Sequence, residues 1–364
     1  MVSKPVVPPW NDSSKNLVRD LATHFARHRA TIMIRRGEAA PLVGVAHSAV
    51  YAGAGHFSPA LADNARVLLR LLADRGHDLW HFFFAPNRRS SSVGRACARA
   101  RRRPSVQTVC SAPAAGVDVQ KLLFADRTVV LSQHSEALVL AAGVPRERVR
   151  RIAPAVHALP VPDAARRAAA RQRLGLALDR PVIVYPGDLE YSSAAERVLR
   201  AHAARWQRRG AVLVLACRAK TAAASERERA LRALAGQLGV TGDVVWLGET
   251  REIHALLGAA DVVVLPAETL YAKMDLPLVV IEAMLLERCA LVAAGTPAAE
   301  LAVDDAALAV TPEVDAIAEA VSSLLEDDAR RAAIGRAARA HALARFAPTR
   351  VAAEYESLYD ELLS

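Results

Sequence analysis

Ala272-Lys-Met-Asp-Leu-Pro-Leu-Val-Val-Ile-Glu-Ala-Met284 decides how this chain is read, because an apolar strand-like run there turns into a helix and carries one carboxylate, Glu282, at the turn. The apolar stretch Val264-Leu265-Pro266 stands before it and Cys289-Ala-Leu-Val-Ala-Ala-Gly295 after it. The three pieces predict a strand, loop, helix, strand unit of a parallel sheet. Ligands of such sheets sit at the carboxyl ends of the strands, so Glu282 is expected to face one.

The same rhythm extends in both directions. Upstream, Val182-Ile-Val-Tyr185, Val212-Leu-Val-Leu215, Val244-Val-Trp246 and Val262-Val-Val-Leu265 read as short buried strands, with Leu291-Val-Ala293 continuing the series. Earlier still, Thr31-Ile-Met-Ile34, Val43-Gly-Val-Ala46, Leu79-Trp-His-Phe-Phe-Phe84, Val106-Gln-Thr-Val-Cys110 and Thr128-Val-Val-Leu131 alternate with amphipathic stretches such as Asp63 to Arg75. Strands alternating with helices predict parallel sheets covered on both faces. The Pro-punctuated run Pro154-Ala-Val-His-Ala-Leu-Pro-Val-Pro162 interrupts the pattern and is read as a linker. Two domains of similar size are expected, residues 1–158 and 179–346, joined by a linker and first helix over 159–178. The apolar spacing of Val351, Tyr355, Leu358, Tyr359 and Leu362 marks a terminal amphipathic helix.

At 364 residues the chain exceeds one ordinary core. Its 52% hydrophobic and 23% charged residues are those of a globular protein, and no apolar run approaches the roughly 20 residues a membrane span needs. The N-terminal stretch Met1 to Trp10 has one Lys and several prolines in place of a secretory core, and Cys97, Cys110, Cys217 and Cys289 are widely spaced. A reducing cytoplasm is the expected setting. The net charge of +9 favours anionic partners, although the many Ala-Arg strings make compositional bias an equal account.

The second half resembles the nucleotide-sugar-binding domain of retaining GT-B glycosyltransferases, the large group 1 family of bacterial mannosyl- and glucosyltransferases. The resemblance is carried by Val184-Tyr-Pro-Gly187, Val245-Trp-Leu-Gly-Glu249, Ala259-Ala-Asp-Val-Val-Val-Leu-Pro266, Leu278-Val-Val-Ile-Glu-Ala-Met284 and Gly295-Thr-Pro-Ala-Ala-Glu300 in order, and by the closing segment Leu324 to Phe346. The first half is similar at Pro8 to Lys15, Asp78-Leu-Trp-His81, Gln107-Thr108 and Val130-Leu-Ser132. The implied fold is α/β of the GT-B kind, two Rossmann-like doubly wound domains facing a cleft, with the last helix, within 347–364, crossing back to the first. The implied activity is hexosyl transfer, with retention, from a nucleoside diphosphate sugar to a glycan or glycolipid precursor, with no cofactor required.

In the resembled family the residue matching Glu282 binds the ribose hydroxyls, for which a carboxylate is a strong acceptor; a Glu near a helix N-terminus is the structural alternative. The family's second glutamate falls on Met274 and its following Gly-Phe-Gly on Asp275-Leu276-Pro277. A thioether cannot replace that carboxylate and Pro277 has no N–H to offer. Asp275 is therefore expected to supply the carboxylate, and Lys273 a cation for phosphate. Gly187 and Gly248 close their strands near the donor. The family's phosphate-binding Arg falls on Asp188, so Arg218 and Lys220 in Cys217-Arg-Ala-Lys220 are expected to hold the diphosphate. Ser13 and Ser14, in the polar loop that starts a helix at Asn11-Asp-Ser-Ser-Lys-Asn16, suit either an anion or an ordinary N-cap. His81 resembles a histidine that faces the sugar, and Cys110 stands where a His is common.

No metal-ligand cluster is evident from spacing. The basic run Arg88-Arg89 and Arg95 to Arg103 is read as a solvated loop, its sharper alternatives being a peripheral contact with an anionic membrane or a phosphorylated, lipid-linked acceptor. Nucleic acid is not expected, because no aromatic residue interleaves the arginines. The competing functions are a catalytically weakened GT-B protein that binds nucleotide or a partner without turnover, and a sugar-nucleotide epimerase.

Overall fold

The computed structural model describes residues 1–39, 41–53, 60–83, 88–112, 116–219, 221–271 and 273–364. The chain divides into two compact units. The first comprises Met1–His157, Tyr271–Asp275 and Arg345–Ser364, and the second Ala158–Leu270 and Leu276–Ala344.

The strands of the first unit are β1 (Thr31–Arg35), β2 (Ala46–Tyr51), β3 (Trp80–Phe83), β4 (Ser105–Val109), β5 (Arg127–Val130) and β6 (Val149–Arg151), with helices α1 (Ser13–Ala22), α2 (Leu61–Leu72), α3 (Arg88–Arg101), α4 (Val119–Leu122) and α5 (Gln133–Ala141). β3 to β6 form a parallel sheet in that order, and β1 pairs in parallel with β2. The N-terminal run joins the two. Val2 exchanges backbone hydrogen bonds with His81 and Phe83 on one side, while the Met1 ammonium and the Val6 N–H donate to the Thr31 and Met33 carbonyls on the other. A core of Met33, Tyr51, Trp80 and Phe82 closes over this junction.

The second unit contains α6 (Ala164–Arg173), β7 (Val182–Tyr185), α7 (Ala194–Ala201), β8 (Val212–Leu215), α8 (Ala222–Gln237), β9 (Val244–Trp246), α9 (Ile253–Ala259), β10 (Val262–Leu265), α10 (Leu278–Leu285), β11 (Cys289–Ala293), β12 (Leu308–Val310), α11 (Val314–Glu326) and α12 (Asp328–Phe346), the last two residues of α12 falling to the first unit. Its six strands are all parallel, in the order β12-β11-β10-β7-β8-β9. β7, β8, β10 and β11 are buried along their whole length, which is why they read in sequence as unbroken apolar runs. The chain leaves β7 toward β8 and later returns to its other flank as β10, so the topological switch point lies between β7 and β10.

The closing helix α13 (Pro348–Leu363) belongs to the first unit. Pro348 starts it and Val351, Tyr355, Leu358 and Tyr359 form its buried stripe. The Tyr359 hydroxyl lies 2.6 Å from His81 Nδ1 and the Tyr355 hydroxyl 3.1 Å from Thr108 Oγ1. Two phenols therefore tie this helix to β3 and β4.

Three expectations are corrected. Val43-Gly-Val-Ala46 is not a strand: Gly44 takes a positive φ in a turn, Val43 is fully exposed, and β2 begins only at Ala46. The strand-like run Leu278 to Ile281 is the first turn of α10, whose β-branched residues are tolerated because the helix is buried on nearly all sides. The arginine-rich run from Arg88 is the helix α3, not a loop. Ser91, Gly94, Cys97 and Ala98 form its buried small-residue face, and Gly94 lets it approach the Phe124 ring, which a Cβ would meet at 2.7 Å. Among the described residues no helix is long and apolar enough to cross a membrane.

Candidate functional site

The carboxyl edge of the second sheet gathers Gly187 after β7, Arg218 after β8, Gly248 after β9 and Glu282 in α10. Gly187 is required locally, since any Cβ there would collide with the ring of Tyr185, which is fully buried. Gly248 has φ +66°, a conformation that favours glycine. Glu282 is 12% exposed at its side chain, and its Oε1 lies 3.4 Å from Nε2 of His254 in the first turn of α9. Nothing local in the sequence marked His254; it is recruited because α9 and α10 pack together.

At the switch point, the Ser193 N–H and hydroxyl both donate to Glu268 at 2.8 Å, and Arg197 lies 3.2 Å from the same carboxylate. Burial opposes ionisation of Glu268, but the Ser193 hydrogen bonds and Arg197 hold its carboxyl below the usual range. Arg218 donates to Glu249 at 2.9 Å, so this expected phosphate ligand has an acidic partner. Lys220 lies outside the described residues.

Asp275, the carboxylate expected beside the sugar, is 1% exposed and belongs to the first unit. Its N–H donates to the Cys110 carbonyl, its Oδ1 accepts the Ala112 N–H at 2.9 Å, and its Oδ2 accepts the Ser132 hydroxyl at 2.8 Å. Burial raises the carboxyl above its ordinary range despite these donors. Ser132 also accepts the Ser135 N–H as the N-cap of α5, so one hydroxyl serves helix and carboxylate together. Met274 beside it is buried, and Lys273 is half-buried in the same segment.

His81 is 2% exposed. Its Nε2 lies 2.7 Å from Thr108 Oγ1 and its Nδ1 contacts Tyr359, so both ring nitrogens are engaged inside the first unit. Burial drives its pKa well below the ordinary value, which keeps the ring neutral. At the start of α1, Asp12 accepts the Ser14 and Lys15 N–H groups and the Ser14 hydroxyl, and pairs with Lys4 at 3.0 Å. The Ser14 N–H and hydroxyl therefore serve Asp12 as the N-cap of α1. Among the described residues no three His, Cys, Asp or Glu side chains gather as a metal-binding set.

Two parallel Rossmann-like units, the second in the strand order of a dinucleotide-type sheet with a carboxylate helix after its fourth strand, define a protein of the GT-B fold. Solved structures agree over nearly the whole length. HepE of Anabaena, solved with UDP and glucose, is 19% identical, with 99% of each chain covered and a TM-score of 0.80. Sucrose-phosphate synthase from Thermosynechococcus elongatus is 21% identical, covering 99% of this chain and 98% of that one, with a TM-score of 0.78.

Residues 166–341 match the family described as glycosyl transferases group 1. Among curated proteins, a D-inositol 3-phosphate glycosyltransferase of Salinispora arenicola is 31% identical across 48% of this chain and 40% of its own length. One of Xylanimonas cellulosilytica is 31% identical across 61% of this chain and 54% of its own. The chain thus spans about half the length of the curated relatives it matches.

Proposed function

We propose that the protein transfers a hexosyl group from a nucleoside diphosphate sugar to a glycan or glycolipid precursor, with retention at the anomeric carbon. The observation that carries this reading is Glu282, held at the carboxyl edge of the second sheet inside the segment that matches the group 1 family. In this reading Glu282 accepts the ribose hydroxyls, Gly187 and Gly248 leave room for the donor, and Arg218, Lys220 and Lys273 neutralise the diphosphate. The leaving diphosphate receives the acceptor's proton on the face from which it departs, so catalysis rests on positioning and on cations that stabilise the developing charge. His81 and Asp275 act as positioning residues, the first by seating α13 on β3 and β4 and the second by holding the segment that leads into α10. The neighbouring HepE has been solved with UDP-glucose, which makes a uridine diphosphate sugar the first donor to try.

A second reading, a protein that binds nucleotide without turnover, is favoured by Arg218 being paired with Glu249 and by Ser193 being paired with Glu268. One assay separates the two. The purified chain is incubated with UDP-, GDP- and ADP-sugars and an acceptor extract supplemented with D-inositol 3-phosphate, following nucleotide release and thermal stability. Release of nucleotide with one donor supports transfer. Stabilisation without release supports the second reading, and absence of both removes the donor site.

A further inference from the structure

The arginines that the sequence left as a solvated run line a cavity. Arg95 and Arg99 of α3, Arg102 and Arg103 of the turn beyond it, Arg127 at the start of β5 and Arg148 just before β6 surround a space of about 800 Å³, floored by Phe124. An adjoining pocket of about 270 Å³ shares Arg95, Arg99, Phe124 and Arg148. Every strand that contributes does so with its amino end. The cavity therefore lies on the edge of the first sheet opposite the carboxyl edge, where substrates of such sheets bind.

Several arginines elsewhere in this unit are paired with carboxylates: Arg66 with Asp63, Arg146 and Arg151 with Glu136, and Arg150 with Glu361. Among the described residues none of the six cavity arginines pairs with a carboxylate. The acidic residue of the lining, Asp126, is already taken up by the Ser105 N–H and hydroxyl at 2.8 Å. Three of the six are held in place by main chain, with Arg95 donating to the Gln120, Lys121 and Leu123 carbonyls, Arg148 to Ala125 and Arg127 to Asp126. The Arg127 Nε–H is buried with no acceptor among the described residues. The C-terminus of α3 opposes a bound anion, but by only ~0.3–1 kcal/mol at an exposed end, less than several guanidinium–phosphate contacts supply.

We propose that this cavity is a binding site for a soluble small molecule carrying two or more phosphates, separate from the donor site. Its volume is that of an ordinary ligand pocket. A lipid surface fits less well, because the site is concave and the exposed apolar side chains of α2 and α3, Leu61, Leu69 and Val93, do not line it.

The test is calorimetric titration of the full chain with tripolyphosphate in ~150 mM salt, where exposed nonspecific pairing is screened. Saturable binding is expected, weakened at least tenfold in the double variant Arg99→Ala, Arg103→Ala, whose side chains make no hydrogen bond or ion pair among the described residues. It should be unchanged in Arg218→Ala, which removes an expected diphosphate ligand of the donor site, and in Arg208→Ala, an exposed arginine of the second unit. Equal binding by the wild type and the double variant would overturn the proposal, as would loss in Arg218→Ala alone. Sedimentation with phosphatidylglycerol vesicles without any binding of tripolyphosphate would overturn it in favour of a lipid. Because the readouts are independent of sugar transfer, failure here leaves the donor-site reading standing.

Discussion

Glu282 Oε1 stands 3.4 Å from His254 Nε2, joining the first turn of α9 to the second turn of α10. Under the donor-site reading the imidazole orients the carboxylate while its second oxygen stays available to a ribose. Glu282→Ala is expected to weaken nucleotide binding by ~10–100-fold, the value of one or two hydrogen bonds to a charged acceptor. His254→Ala removes only a half-exposed partner and is expected to cost a few-fold at most. Titration with UDP measures both, and an unchanged affinity in Glu282→Ala would count against the ribose assignment.

Arg218 is 16% exposed at its side chain and its partner Glu249 is 50% exposed, so the pair is only partly desolvated. Such a pair is worth up to ~1 kcal/mol, which a bound diphosphate can displace. Glu249→Gln releases the guanidinium and is expected to tighten UDP binding about two- to fivefold, while Arg218→Ala weakens it by a similar or larger factor. The prediction fails if Glu249→Gln weakens binding, since Glu249 would then hold Arg218 in its working position.

These two sites differ in how far sequence could reach them. Glu282 lies inside a short motif whose pieces follow one another, so local pattern was enough to single it out. His254 is 28 positions away, and the Asp275 contacts to Ala112 and Ser132 span 163 and 143 positions. Contacts of that separation leave no periodicity to read. The strands of the second sheet were legible because both faces are buried, whereas β2, Ala46-His-Ser-Ala-Val-Tyr51, is largely exposed over its first four residues and carries no apolar run. α3 was missed for the converse reason: its buried face is built from Ser, Gly, Cys and Ala, which hydropathy scores as neutral beside so many arginines.

Asp12 predicts an acid-sensitive cap on α1. Burial opposes its charge, yet Lys4 and the Ser14 and Lys15 hydrogen bonds bring the carboxyl down to about 2 from an ordinary 3.8. A carboxyl lowered in the folded state contributes stability that is complete above 3.8 and is lost as pH falls toward 2. The contribution is about 2 kcal/mol. Between pH 5 and pH 2 the wild type should therefore lose about that much more stability than Asp12→Asn, read as the difference in denaturation midpoints. Parallel curves for the two proteins would show that the cap is not coupled to protonation.

Asp275 separates positioning from direct contact with a sugar. Replacing it by Ala strands the Ala112 N–H and the Ser132 hydroxyl in a buried site, at ~2–4 kcal/mol for two unmet donors. Asn keeps one carbonyl oxygen for Ala112 and turns its amide toward Ser132, whose oxygen can accept. It also reproduces the neutral form that burial favours. Asp275→Asn is therefore expected to retain most of the stability and most of the turnover, and Asp275→Ala to lose both. If Asn keeps the stability but abolishes turnover while nucleotide still binds, the carboxylate itself touches the reacting sugar, and the positioning role assigned to Asp275 is wrong.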